Sequence, residues 1–377
     1  VYKRQAQETA IKDLVHVLVG QDASQIVALT ERLKLAMMPH GMMGTFASGI
    51  IAAIDTALWD LQGKLLDVPV WQLLGGKMRD RIPLYCHAGN VVAAKQAVSM
   101  GYGGVKLSGY GTAVERASLI REAFPDIDLM VDLHGPPWLT TADSLAVCQE
   151  LEKLDLTFIE EPVAPENPEG LLRIRELVKA PIASGERIGD ISEFARLVTG
   201  GHIDVIQPDT GRAGGISGMK KIAAIAESQF VKVAPHSGSL GPVAEYAAVH
   251  LLASIPNCLY LERFADDWDG RETVLSDSLA FSDGTFEVRR KFGAGPVRFV
   301  FELSAGTITT ADALLCRLTL DVADDYEAEF PDLVFPDDVP GAILTDFETS
   351  EKAEDGRLVR VCEYELEPEY EGTLSFP

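Results

Sequence analysis

Thr157-Phe158-Ile159-Glu160-Glu161-Pro162 decides how the chain is read. A short apolar, β-branched run goes straight into two carboxylates and a proline, as a buried strand does when it reaches an edge where charge is tolerated. The same construction recurs on both sides. The runs are Ile82–His87, Gly104–Leu107, Asp128–Leu133, Thr157–Ile159, Pro181–Ser184, Asp204–Gln207, Val231–Pro235 and Leu259–Leu261. Helix-like segments such as Ser144–Leu154 and Ile216–Ser228 separate them. Strand–helix alternation of this kind predicts a parallel sheet. Eight strands in one series fit a closed barrel, and the pattern alone also admits a doubly wound sheet.

The ends of the runs point to function. Asp132, Glu160, Glu186, Asp209, His236 and Glu262 follow apolar runs at steps of 28, 26, 23, 27 and 26 residues. That is about one strand–helix unit per step. In a barrel the C-terminal strand ends meet at one face, where catalytic residues collect. One carboxylate at a strand end is ordinarily a cap for the next helix, but six ionisable groups in register make a site the better reading.

Asp132, Glu160 and Glu186 are hard oxygen donors from consecutive strand ends, with no Cys or His among them, and suit Mg²⁺. Side-chain alternation puts Glu160 on the face of Phe158, so Glu160 is taken as the ligand and Glu161 as a supporting group behind it. Asp209 and His236 pair as an oriented general base. His134 shares a strand face with Asp132 and is a candidate acid. Lys106 ends the second strand and is a candidate for holding a substrate carboxylate, or alternatively a lysine snorkelling from the rim. Gly211-Arg212-Ala213-Gly214-Gly215 looks like a dinucleotide loop but lacks the full spacing and the following acid, so NAD binding is rejected.

Outside the alternating region, residues 1–75 read helical, with the stripe Ile50, Ile51, Ile54, Ala57, Leu58, Leu61 and Leu65 at three- and four-residue steps. Beyond Arg263 the alternation stops. Val297–Leu303, Leu315–Val322 and Leu358–Leu366 look like strands separated by Pro, Asp and Gly, which suggests a small β-sandwich. The net charge of −24 speaks against nucleic acid, and roughly −14 of it lies after Ser282. No apolar stretch reaches membrane-spanning length. Five scattered cysteines without a Cys-x-x-Cys pair read as reduced thiols of a cytoplasmic protein.

Together these motifs resemble the enolase superfamily, mandelate racemase subgroup. Ala53-Ile54-Asp55-Thr56-Ala57-Leu58-Trp59-Asp60-Leu61-Gln62-Gly63-Lys64 is similar to its lead-in to the barrel. Phe158–Pro162, Gly185-Glu186-Arg187, Gln207-Pro208-Asp209 and Ala234-Pro235-His236-Ser237 are similar to its barrel motifs. The resemblance implies a (β/α)7β TIM-like barrel and Mg²⁺ at Asp132, Glu160 and Glu186. It also implies a His236–Asp209 base and Glu262 near the developing oxyanion.

Racemases of the subgroup carry a second lysine two residues after the first, where this chain has Ser108, which disfavours two-face proton exchange. Val131-Asp132-Leu133-His134-Gly135 and Leu240-Gly241-Pro242 resemble the galactonate dehydratases, in which the histidine after the first ligand expels the 3-hydroxyl. The implied substrate is a sugar acid such as galactonate or gluconate. A racemase or epimerase, or a non-catalytic fragment, are the rival readings.

The expected organisation is a truncated, mainly helical capping segment over 1–80 and the barrel over 81–275. An acidic β-rich domain over 283–377 follows, of separate origin. Its Glu329-Phe330-Pro331-Asp332 and Tyr364-Glu365-Leu366-Glu367-Pro368 resemble Ig-like modules of oxygen-tolerance proteins. The start at Val1-Tyr2, without Met or a signal peptide, suggests that cap strands precede it. With a complete cap, a homo-oligomer is expected.

Overall fold

The computed structural model describes residues 2–38, 45–135, 137–237, 241–264, 279–289, 297–303, 307–309, 314–323, 342–354, 357–368 and 373–375. It divides into two compact units. The first comprises Val1–Leu18, Asp22–Arg271 and Leu279–Lys291; the second comprises Val19–Gln21, Glu272–Ser278 and Phe292–Pro377.

The first unit opens with helices α1 (Tyr2–Leu18), α2 (Ile26–Met37), α3 (Thr45–Leu65) and the short α4 (Val70–Leu73). Leu14, Leu33, Ile50, Ile51 and Ile54 form one buried cluster among the first three, with Leu58 partly buried against it. Only the first half of the expected stripe is buried there; Ala57, Leu61 and Leu65 are exposed.

The barrel follows as β1 (Arg81–His87), α5 (Val91–Ser99), β2 (Gly104–Ser108), α6 (Ala113–Ala123), β3 (Asp128–Asp132), α7 (Thr141–Leu151), β4 (Phe158–Glu160), α8 (Pro168–Leu177), β5 (Ile182–Ser184), α9 (Ile191–Thr199), β6 (Val205–Ile206), α10 (Gly215–Ser228), β7 (Lys232–Val233), α11 (Pro242–Ser254) and β8 (Leu261–Arg263). Neighbouring strands pair in parallel from β1 to β7, and β8 pairs in parallel with β1. The remaining seam is joined just before β8. Val233 bridges Cys258, with the Val233 amide donating to Asn257 O (2.9 Å) and the Leu259 amide to Val233 O (2.8 Å). The ring therefore closes, and the doubly wound alternative falls away. Tyr85, Met130, Phe158, Ala183, Val205 and Ala234 fill a buried cluster drawn from five strands and the residue just past β7, the layered interior of a filled barrel. Asn90, Thr140, Asn167 and Asp190 accept first-turn amides of α5, α7, α8 and α9, which starts those helices directly after the loops at the strand ends.

The expected boundary at 283 cuts through a hairpin. β9 (Phe281–Ser282) and β10 (Thr285–Glu287) form an antiparallel pair, and β10 lies antiparallel on β1 with Ile82 opposite Phe286. Phe286 is fully buried, and the Leu84 amide donates to Gly284 O at 2.9 Å. The rising acidity after Ser282 reads as the start of the tail; physically Asp283-Gly284 is the turn of a flap belonging to the first unit.

The second unit contains a four-stranded antiparallel sheet and a two-stranded one. The larger sheet has β11 (Val297–Leu303), β13 (Leu314–Ala323), β15 (Arg357–Pro368) and β14 (Ala342–Glu354) in that spatial order. The smaller pairs β12 (Thr307–Thr309) with β16 (Thr373–Ser375). Glu329–Asp332 and Leu240 of the quoted motifs lie outside the described residues. Among the described residues, Cys86, Cys148 and Cys258 are not in disulfides, and no helix is long and apolar enough to cross a membrane.

Candidate active site

Strand register brings the ionisable residues to one end of the barrel. Ser108 stands opposite Asp132 across β2–β3, and Asp132 opposite Glu160 across β3–β4. Glu186 lies two residues past β5, and beyond β6 and β7 Asp209 and His236 form an isolated parallel bridge. Glu262 sits in β8.

Lys106 is the hub. It is 1% exposed, and its Nζ lies 2.6 Å from Glu160 Oε2, 2.6 Å from Glu262 Oε1 and 3.9 Å from Asp132 Oδ2. Burial works against its charge, yet the Glu160 and Glu262 carboxylates carry its pKa well above the ordinary lysine value. The snorkelling alternative is thereby overturned. Lys106 is level with Met130 and, through it, with Phe158, both in the barrel interior, so its side chain enters the interior as well.

His236 donates its Nδ1 proton toward Asp209 Oδ2 at 2.6 Å, which leaves Nε2 facing Glu186 Oε1 (3.5 Å) and Glu262 Oε2 (3.6 Å). Burial opposes its charge, but Glu262, the Asp209 hydrogen bond and Glu186 raise its pKa to about 9. His134 Nδ1 lies 2.6 Å from Asp132 Oδ2, and that hydrogen bond raises its pKa. His134 is the more open of the two rings, with its side chain 32% exposed.

Each of the three candidate metal ligands is thus bonded to a base of this chain: Asp132 to His134, Glu160 to Lys106, and Glu186 to Arg212. Among the described residues, no three His, Cys, Asp or Glu side chains already stand together at metal-ligating spacing. The donor chemistry nevertheless fits a hard cation. Glu160 is completely buried, its Oε1 has no hydrogen-bond partner, and burial raises its pKa to about 7, with Asp132 and Glu262 adding to the rise. A carboxylate held this way, beside two others, presents a lone pair that a hard cation suits. Glu161, at φ 39°, is buried within electrostatic reach of Glu160, Glu186 and Asp132. Its carboxylate lies 3.4 Å from Arg187 Nε, and burial takes its pKa to about 8.

Two side chains at the site escaped the sequence reading. His87, at the end of β1, places Nε2 2.5 Å from Glu262 Oε1 and stacks on Phe264 at 3.9 Å. It ends an apolar run just as Asp132 does, and that signal was available. Arg212, in the glycine loop rejected for NAD, lies 2.9 Å from Glu186 Oε1, a pairing that sequence spacing does not reveal.

Residues 90–297 match the family described as enolase C-terminal domain-like, and residues 3–75 match the mandelate racemase/muconate lactonizing enzyme N-terminal domain. The chain belongs to the enolase superfamily. A D-galactonate dehydratase from Verminephrobacter eiseniae is 37% identical over 265 residues, 65% of this chain and 68% of the relative. The crystal structure of the 3,6-anhydro-D-galactonate cycloisomerase from Zobellia galactanivorans is 30% identical at a TM-score of 0.70, covering 76% of this superfamily member and 83% of that chain. An enolase from Agrobacterium radiobacter, bound to Na and L-malate, is 28% identical at a TM-score of 0.69, with 76% and 80% covered.

Proposed function

We propose that this chain is a Mg²⁺-dependent hydro-lyase that dehydrates a sugar acid, an aldonate such as galactonate or gluconate, to a 2-keto-3-deoxy acid. The observation that carries the reading is a base and an acid at one barrel mouth with carboxylates between them: His236 on Asp209, and His134 on Asp132. The relatives named as D-galactonate dehydratases support the same reaction class.

Asp132, Glu160 and Glu186 would hold the metal. Bound there, Mg²⁺ supplies positive charge for the enediolate that forms when the proton beside a carboxylate is removed. His236 Nε2 takes that proton, because Asp209 holds Nδ1–H and fixes the tautomer. Charge neutralisation at Glu186 would also lower the His236 pKa toward the range a base needs. His134 delivers a proton to the departing 3-hydroxyl, and its raised pKa keeps that proton available near neutrality. Lys106 and Glu262 flank the substrate carboxylate, where Lys106 offsets the charge of its neighbours.

The test is a panel of aldonates with keto-acid product trapped as a semicarbazone, together with α-proton exchange in D₂O. His134→Asn should abolish dehydration and retain exchange; His236→Asn should abolish both, each loss being about 10²-fold or more. Exchange kept in His236→Asn but lost in His134→Asn would reverse the assignment. Racemised substrate without keto acid would favour the racemase reading, and no Mg²⁺-dependent turnover of any aldonate would favour a non-catalytic role.

A further inference from the structure

The Gly211–Gly215 loop leaves β6 and ties two parts of the site together. Arg212 Nη1 lies 2.9 Å from Glu186 Oε1, and its Nε lies 3.5 Å from Asp209 Oδ2. One largely buried guanidinium therefore touches both a candidate metal ligand and the carboxylate that orients His236. The loop backbone closes on the same aspartate. Gly211 N–H donates to Asp209 Oδ1 at 2.8 Å, and Arg212 N–H and Ala213 N–H donate to its carbonyl at 2.9 and 2.8 Å. A planar fork can hold two carboxylates in fixed relation; an ammonium, as a point charge, cannot.

The other side of this loop is gripped by α3, from the N-terminal segment. Ser48 Oγ donates to the carbonyl of Arg212 itself. Asp55 Oδ2 accepts Ser217 N–H at 2.9 Å, at the N-terminus of α10, and Trp59 Nε1 donates to Ser217 Oγ at 2.9 Å. Asp55 is wholly buried. A Cβ on Gly215 would lie 2.5 Å from Asp55 Oδ2, and Gly215 has φ +71°, so the glycine is what lets the carboxylate reach the helix end. Apolar contact alone would dock α3 on α10. Three polar contacts aimed at residues 212–217 do more, because they fix the loop that carries Arg212.

We propose that Arg212 is a positioning residue that holds Glu186 and Asp209 in register, and that α3, through Ser48, Asp55 and Trp59, holds Arg212 in place. The N-terminal helical segment then sets the geometry of the barrel's catalytic groups from behind them. This rests on the reading above of Glu186 as a ligand and Asp209 as the partner of the base.

The experiment uses the full chain with Mn²⁺ as the metal probe, its affinity measured by electron paramagnetic resonance, alongside steady-state kinetics and thermal melting. Arg212→Gln should weaken Mn²⁺ binding about tenfold, as loss of a group supporting a ligand does. It should also lower kcat about 10²-fold with a smaller change in KM, and Arg212→Lys should restore part of both. Ser48→Ala and Trp59→Phe should lower kcat several-fold at nearly constant KM without a matching loss of melting temperature. A fall in melting temperature with kcat and Mn²⁺ affinity intact would show the seam to be structural only and overturn the role of α3. Unchanged affinity and kcat in Arg212→Gln would overturn the role of Arg212. Glu186→Gln separates the two layers. If it abolishes Mn²⁺ binding while Arg212→Gln changes nothing, only this inference fails. If Glu186→Gln binds Mn²⁺ normally, or the unaltered chain binds none, the ligand reading fails with it.

Discussion

Lys106→Met is the sharpest test of the electrostatics of the site, because it removes one charge and nearly preserves volume. In the intact chain the ammonium sits 2.6 Å from Glu160 Oε2 and 2.6 Å from Glu262 Oε1, with all three groups essentially excluded from solvent. Glu262 keeps the hydrogen bond from Ser237 N–H at 3.1 Å and its contact with His87. Glu160 fares worse, since Oε1 already has no hydrogen-bond partner and Oε2 would lose the one it has. Breaking a buried ion pair from one side costs about 3–5 kcal/mol, mostly as the penalty of the stranded charge. At about 2–4 °C per kcal/mol for a unit of this size, the melting temperature in EDTA at neutral pH should fall by roughly 6–20 °C. Tryptophan fluorescence is the assay, because the sequence has no tryptophan after Trp268 and the signal reports the first unit rather than the tail. A cation bound at Glu160 would replace part of the lost charge. Millimolar Mg²⁺ should therefore raise the melting temperature of Lys106→Met more than that of the unaltered chain, with about 2.7 kcal/mol available at a hundred times Kd. A variant that melts within 2 °C of the parent in EDTA (a threshold of roughly 1 kcal/mol), or an equal response of both chains to Mg²⁺, would refute the reasoning.

Two further outcomes follow from the fold. Burial raises the Asp55 pKa to about 6 from 3.8, so its contribution is intact below the unfolded value and is lost as pH climbs through 6. Asp55→Asn should therefore gain on the parent by up to about 3 kcal/mol in urea stability between pH 4 and pH 7.5, and a pH-independent difference would contradict this. A chain ending at Lys291 should keep the Mn²⁺ affinity of the full chain, as expected if the acidic tail supplies nothing to the site. One ending at Ser282 removes β10 and with it Phe286, whose burial stabilises by about 2–3 kcal/mol, and it should melt lower than the Lys291 form; equal melting would show the flap to be dispensable.

The parallel strands were legible because burial on both faces leaves a signal in each one: a β-branched run that stops at a charge. Even the two-residue strands β6 and β7 are visible, since Asp204–Gln207 and Val231–Pro235 are buried over more positions than the ladder occupies. The run at Leu259–Leu261 appears two residues early because Cys258 and Leu259 close the ring on Val233 before β8 itself pairs with β1. The boundary at 283 puts β10 in the tail because the hairpin is antiparallel, short and follows the point where strand–helix alternation stops. The hairpin's buried apolar anchors, Leu279, Phe286 and Val288, are too few to carry a periodicity.

Register made the list of ionisable residues readable, whereas their pairings are a property of the closed ring. Lys106 and Glu262 are remote in sequence and meet only because β8 returns to β1, one strand away from β2. A strand order that placed β8 away from β1 would leave those two side chains at different places, and the buried charge of Lys106 would have no Glu262 beside it. Arg212 and Glu186 likewise meet because β5 and β6 are adjacent and the glycine loop bends back over them. Each carboxylate is tolerable in the interior because strand order places a base beside it: His134 for Asp132, Lys106 for Glu160 and Glu262, and Arg212 for Glu186. Because Cys258 stands just before β8, mutations that open the seam at Val233 and Cys258 should shift Glu262 and so be felt at Lys106 before they are felt in the apolar core.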